Sequence, residues 1–307
     1  MRKKLSIIIP FEDQDTADLT NALASINNQS GVISFKEFDV HIVNNSGKPL
    51  DMKQFAIFDQ LDLHYYELKE KLTYGMVLQY GVARSEGEYF LFLDSADLLN
   101  VTMGLHYLIQ TLKQRGSRAL FLAAYIEISP ETNFIPHQPD VNDPSLYGKV
   151  FQRAFVKSLN LKFKKELVNF ADLYYTRIIM NYTKDIILIN EYVYCHQSRP
   201  EAQGQIHEKA LAQRLILEKF KERRQPDFSS LLKNELLDLY LSAKLTQPVD
   251  QAAFELELSK IIKEFARDWE GYTPGLQQLV TLYTQSGRYQ GLDTADLAAF
   301  IGKIEKN

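Results

Sequence analysis

Two carboxylates, Asp94 and Asp97, stand in the turn Asp94-Ser95-Ala96-Asp97, directly after the unbroken aromatic and aliphatic run Tyr89 to Leu93. Carboxylates at the end of a buried strand can hold a divalent cation against a diphosphate, because Mg²⁺ takes oxygen ligands and lets substrate phosphates complete its shell. The same residue types also stop a strand and cap a helix opening near Val101, and on this stretch alone the two readings weigh equally. Asp172 opens another helical stretch, where the macrodipole favours a carboxylate whatever else it does. His196 offers a nitrogen to a cation, although a lone His beside a core strand is more often simply hydrogen-bonded. Cys195 is the only cysteine, which excludes an internal disulfide and any multi-thiolate metal site and suits a reducing compartment.

The elements that must position these groups follow from periodicity. Leu5 to Pro10 reads as a strand, leading through the acidic loop Glu12 to Asp15 into a helix with Leu19, Ala22, Leu23 and Ile26 on one face. Phe38 to Val43 is a second strand ending in the polar turn Asn44-Asn45-Ser46-Gly47. Met52 to Asp59 reads as a helix and Leu61 to Leu68 as a third strand. Thr73 to Ser85 is a helix feeding the Tyr89 strand, and after the acidic turn a further helix carries Leu105, Leu108, Ile109 and Leu112. Arg118 to Ile128 returns to strand, Ser129 to Ser145 reads as a long loop, Tyr147 to Phe155 as strand, Ala171 to Tyr182 as helix and Ile186 to Tyr194 as the last strand.

Strands alternating with helices argue an α/β fold with a mostly parallel sheet covered on both faces. Beyond Gln203 the character changes to four or five amphipathic helices, broken near Pro226, Pro248, Gly271 to Pro274 and Gly287 to Gly291. This divides the chain into residues 1–203 and a helical region, 204–307.

The 307 residues, 45% hydrophobic, are enough for a substantial core, and a net charge of −4 gives no basic field for nucleic acid. No apolar run is long enough to span a bilayer, and the Met1-Arg2-Lys3-Lys4 start is cut by Pro10, Glu12 and Asp13 before it can act as a signal peptide. The expected location is the cytoplasm, with a peripheral place at the membrane as a variant. Neither GxGxxG nor a Walker A loop occurs. The wide apolar faces of LLKNELLDLYLSAKL and FELELSKIIKEFARDW suggest self-association or a partner protein through the C-terminal helices.

Taken together and in order, several phrases resemble the family 2 glycosyltransferases of the GT-A fold. KLSIIIPFEDQ is similar to their first strand and donor loop, LTNALASINNQ to the following helix, HIVNNSG to the second strand with its nucleotide-base turn, and GEYFLFLDSADLL to the metal-binding strand end. YGKVFQRAFV, LKFKKELVNFADLYYTRII and YVYCHQS are similar to the region of the catalytic carboxylate and the strand after it. The match is collinear over about two thirds of the chain, more specific than any single motif.

The resemblance implies a Rossmann-like GT-A domain followed by a helical accessory domain. It implies transfer of a hexose or N-acetylhexosamine from a nucleoside diphosphate donor, most often uridine diphosphate, to a glycan, polymer or protein acceptor, with inversion, as in making bacterial cell-surface polysaccharide. Donor-binding positions would be Pro10, Phe11, Glu12, Asn44, Asn45, Asp94 and Ser95. Asn45 would read the base edge, Asp94 would face the ribose or a Mg²⁺ or Mn²⁺ ion, and Asp172 would be the general base. Asp97 and His196 are weaker candidates for the metal.

Departures from the family pattern are concentrated in the same places. Ala96 stands where a metal-ligating Asp is usual, Asn44 and Asn45 replace an acidic pair, Leu78 and Gln79 an Arg-Asn pair, Ala171 a Glu and Cys195 an Arg. A methyl cannot coordinate a cation. These changes carry the competing reading, a catalytically inactive relative retained as a binding or scaffolding subunit, for example of an active glycosyltransferase.

Overall fold

The computed structural model describes residues 3–12, 15–31, 34–100, 102–129, 133–198, 205–222, 227–246 and 248–265, with residues 278 and 281. The chain divides into two compact units, residues 1–200 and 201–307. In chain order the first unit begins with β1 (Leu5–Phe11), α1 (Thr16–Asn27), β2 (Phe38–Asn44), β3 (Leu63–Glu67), α2 (Tyr74–Arg84) and β4 (Tyr89–Phe92). It continues with β5 (Leu98–Leu99), α3 (Gly104–Gln114), β6 (Leu120–Ser129), β7 (Asn133–His137), β8 (Lys149–Gln152), α4 (Arg153–Ser158), α5 (Ala171–Tyr182) and β9 (Ile186–Gln197).

These strands form one mixed sheet in the order β3-β2-β1-β4-β8-β6-β9-β5, with β7 paired to β6. β3, β2, β1 and β4 run parallel, β8 is antiparallel to both its neighbours, and β6 and β9 are again parallel. Every residue of β1, β2 and β4 is buried, as a strand covered on both faces requires. α1 buries Leu19, Ala22, Leu23 and Ile26, the stripe that the sequence spacing marks.

Pro10 lies inside a central strand, where a missing N–H normally costs a ladder bond. It is tolerated because β4 pairs with β1 only from Leu5 to Ile8 and the last bond on that side is Leu93 N to Ile8 O. Past Ile8 the two strands part, and the crevice at their carboxyl ends is where an open α/β sheet places ligands. α2 approaches through glycine: a Cβ on Gly81 would come 2.4 Å from Ile8 Cγ2, and one on Gly75 2.8 Å from Ala171 Cβ.

Several local expectations are corrected. Met52–Phe55 is a single 3-10 turn. The helix after the acidic turn opens at Gly104, because β5 intervenes and pairs with β9. The stretch from Ser129 to Ser145 includes β7, an edge strand in which Pro136 is harmless because only β6 lies beside it. The Tyr147 segment is strand only over β8 and continues directly into α4.

The second unit contains α6 (Ile206–Glu222), α7 (Phe228–Leu245) and α8 (Gln251–Phe265) among its described residues. α6 packs on both α7 and α8. The breaks expected near Gly271 to Pro274 and Gly287 to Gly291 lie outside the described residues.

Candidate active site

The first unit has an open cleft of about 510 Å³ lined by Glu12, Lys71 to Tyr74, Asp94, Val168 and Asn169. It sits where β1 and β4 part, so the ends of β1, β4, the α2 approach and the loop before α5 all contribute. Its floor is braced by amides. Asn45 donates from Nδ2 to Glu12 Oε1 (2.6 Å) and Leu72 O (2.9 Å), and its Oδ1 accepts from Leu72 N (2.9 Å). Asn44, 1% exposed, donates to Lys48 O (2.7 Å) and Tyr65 Oη (2.9 Å) and accepts from Ser46 N and Oγ. All four amide hydrogens of the pair are therefore engaged within the protein, and only Oδ1 of Asn45 keeps acceptor capacity.

The acidic turn places its two carboxylates differently. Asp94 lines the cleft, with Oδ1 accepting from Ala96 N at 3.0 Å. Asp97 is 1% exposed and accepts from Tyr194 Oη (2.6 Å), His196 Nδ1 (3.1 Å) and Gln197 N (2.8 Å). Tyr194 in turn accepts from Asp94 N at 3.3 Å. Asp97 thus ties the turn to β9, and the His196 ring, stacked on Tyr147 at 3.8 Å, is part of that tie. Ser95 is fully buried, its Oγ without a hydrogen-bond partner among the described residues.

Asp172, in the first turn of α5, is half-buried, and its Oδ1 accepts from Leu173 N at 2.7 Å. Burial pushes its carboxyl up to about 6, against the opposing pull of the Leu173 N–H and the Lys149 ammonium. Lys149 is 2% exposed in β8 and bonded to Asp143 Oδ2 (2.9 Å) and Ser145 Oγ (3.3 Å). The Tyr74 hydroxyl is driven well above its ordinary range, first by burial and then by Asp94, Tyr147, Asp97 and Asp172. Asp94 and Asp172, 78 positions apart in the chain, both act on the Tyr74 hydroxyl, although only Asp94 is among the residues that line the cleft.

Sequence reasoning missed Lys71, Thr73 and Tyr74. Thr73 is the N-cap residue of α2, yet its Oγ1 is buried with no hydrogen-bond partner among the described residues. An eleven-residue helix therefore turns its N-terminus and a lysine toward the cleft, an arrangement suited to an anion. A polar residue before an apolar helical run was the available signal.

The family model described as glycosyl transferase family 2 matches residues 6–173. The chain belongs to glycosyl transferase family 2. Its fold matches that of S. aureus TarS 1-349 solved with UDP, at a TM-score of 0.70 and 18% identity, over 84% of this chain and 80% of that one. The same TarS fragment with UDP-GlcNAc matches with a TM-score of 0.70 over 85% and 81%. At such identity the likeness is one of fold. Comparison with curated proteins gives no match.

The family's divalent cation can be tested against the residues present. Ala96 offers no ligand, and the Asp97 oxygens already accept from three groups, which leaves Asp94 as the one carboxylate of the turn facing the cleft. His196 can offer only Nε2, because its Nδ1 is bonded to Asp97. A single carboxylate does not make a preformed cation cage, so the turn does not fit the family's metal centre.

Proposed function

We propose that this chain transfers a sugar from a nucleoside diphosphate sugar to a hydroxyl acceptor with inversion at the anomeric carbon. The observation that carries this reading is the Asp172 carboxyl, raised to about 6 and sharing the neighbourhood of Tyr74 with Asp94 of the cleft. Such a group is ionised at neutral pH and still basic enough to take a proton. Asp172 takes the acceptor hydroxyl's proton as that oxygen attacks the anomeric carbon. The bond from that carbon to the diphosphate oxygen breaks, and the electron pair leaves with the diphosphate.

The leaving charge is met by Lys71 and the N-terminus of α2, with no step assigned to a metal. The nucleobase lies along the wall that Glu12 presents to the cleft, with buried Pro10, Phe11 and the Asn44-Asn45 turn behind it and Asn45 holding Glu12 in place. Asp94 faces the ribose, and Asp97, bonded to Tyr194, His196 and Gln197, fixes the turn, with Ser95 buried within it. The UDP and UDP-GlcNAc complexes of TarS support uridine diphosphate as the carrier and an N-acetylhexosamine as the sugar. The acceptor is a glycan, polymer or protein, in the making of cell-surface polysaccharide. We place the reaction in the bacterial cytoplasm; among the described residues no helix is long and apolar enough to cross a membrane.

Ala96 favours a second reading, an inactive member that binds a donor or a partner enzyme without turnover. Titration calorimetry with UDP, joined to a hydrolysis assay with UDP-GlcNAc and other UDP-sugars, separates them. UDP binding with turnover lost in Asp172→Asn supports transfer, and binding without turnover supports the second reading. Failure to bind any nucleoside diphosphate overturns the donor site.

A further inference from the structure

β2 and β3 carry a cluster of titratable side chains that sugar transfer does not use. Alternation puts Asp39 and His41 on one face of β2, and the parallel register sets His64 of β3 beside His41. Asp39 is 5% exposed and His41 2%, yet Asp39 Oδ1 and His41 Nε2 have no hydrogen-bond partner among the described residues. The two atoms are 3.1 Å apart but are not aligned as donor and acceptor. Buried polar atoms are rarely left this way unless something else occupies their lone pairs. Adjacent ligands on one tetrahedral Zn²⁺ ion, bound at about 2.0–2.2 Å, are themselves separated by about 3.3–3.6 Å, so the pair need open only slightly to admit one.

His64 completes the set: one ligand atom from each of the three side chains lies within 4.8 Å of the others, the one such group among the described residues. Each imidazole also has an outer partner. Tyr66 Oη lies 3.3 Å from His41 Nδ1, and Asp62 Oδ1 lies 3.3 Å from His64 Nε2. Partners of this kind fix the ring of a metal-bound His. The two rings stack at 4.6 Å, so His64 must turn to bind, and with 41% of its side chain exposed at the sheet edge it has room to do so.

The nearby opposing cations are Lys3, paired with Asp62 Oδ2 at 2.7 Å, and Arg84, which lies over the Tyr66 and Tyr80 rings at 5.8 and 4.9 Å.

We propose that Asp39, His41 and His64 form a transition-metal site of the Zn²⁺ type that pins the edge strand β3 to β2. Two imidazoles and one carboxylate suit Zn²⁺ and leave a coordination position for water. This site shares no residue with the donor cleft.

Titration of chelator-treated protein with Zn²⁺ tests it. One ion should bind per chain and raise Tm, and Co²⁺ should give a ligand-field absorption that Zn²⁺ abolishes. His64→Gln, at the partly exposed edge where folding is least at risk, should weaken Zn²⁺ binding beyond the roughly 10–100-fold that loss of an outer partner costs. Tyr66→Phe should fall within that range, and Asp94→Asn should leave the stoichiometry intact. Absence of stoichiometric Zn²⁺ binding, or binding unmoved by both His64→Gln and Asp39→Asn, overturns the proposal. Loss of the ion in Asp94→Asn with retention in His64→Gln also overturns it and moves the ion to the cleft.

Discussion

A carboxyl that titrates near 6 is a base at neutral pH and a spent one in mild acid. For Asp172 the sign is fixed: burial raises the value, so the active, ionised form is lost as pH falls through about 6. We expect kcat/KM for sugar transfer to drop tenfold per pH unit below that point and to be flat above it until another group intervenes. Asp172→Asn should remove this limb and lower turnover by roughly 10²–10⁴-fold while UDP affinity stays the same. Lys149 is the cation whose field holds Asp172 down, so Lys149→Met should move the acid limb to higher pH. That variant also strips Asp143 of its ammonium partner, and its Tm should be read beside the pH profile. At the acidic turn, Ala96 is partly accessible. Chelation should leave UDP binding by the native protein unchanged, whereas Ala96→Asp should make it tighten with Mn²⁺. A native protein whose UDP binding collapses on chelation would show that Asp94 suffices as the cation's carboxylate.

Between elements, the cleft depends on a few crossings. Asn45→Ala removes three hydrogen bonds that join the end of β2 to Glu12 and Leu72, at a cost of roughly 2–3 kcal/mol by about 1 kcal/mol each. Urea unfolding should report that loss, and UDP affinity should fall with it, because the Lys71 to Tyr74 segment is no longer held. Gly81→Ala drives a methyl into Ile8 and should cost about 1–3 kcal/mol with α2 displaced from β1. What could be read from the sequence follows the same division. Buried runs such as Leu5–Phe11 and the helical stripe of α1 declare themselves because burial on both faces, or on one, writes a pattern into neighbouring residues. The cleft wall at Lys71 to Tyr74 does not, because what fixes it is Asn45, 27 positions before Leu72. Asp97 is legible as polar but not as the anchor of β9, since Tyr194, His196 and Gln197 lie about a hundred residues on. β7 was hidden for a related reason: Asn, Pro and His read as loop until β6 is there to pair with.

At the level of the whole molecule, two apolar runs of the helical region suggested self-association, and their burial decides what they have left to offer. In α7, Leu231, Leu232, Leu236, Leu237, Leu239, Tyr240 and Leu241 are all buried in the single chain. In α8, so are Phe254, Leu258, Ile261, Ile262 and Phe265, while Leu256 stands exposed by itself. A scattered exposed leucine is ordinary on a protein surface, whereas an obligate dimer needs a contiguous apolar face left over after folding. The charged residues of these helices are likewise engaged with one another: Arg214 of α6 pairs with Glu257 of α8 at 2.7 Å, and Lys209 of α6 with Asp238 of α7 at 2.8 Å. Over the described residues the apolar faces of α7 and α8 are therefore buried within the chain, and residues 266–269 at the end of the second run lie outside them. Light scattering at micromolar concentration should give the mass of one chain, and Leu256→Glu should leave both that mass and the Tm unchanged. A dimer that Leu256→Glu dissociates would place an interface on the outer face of α8.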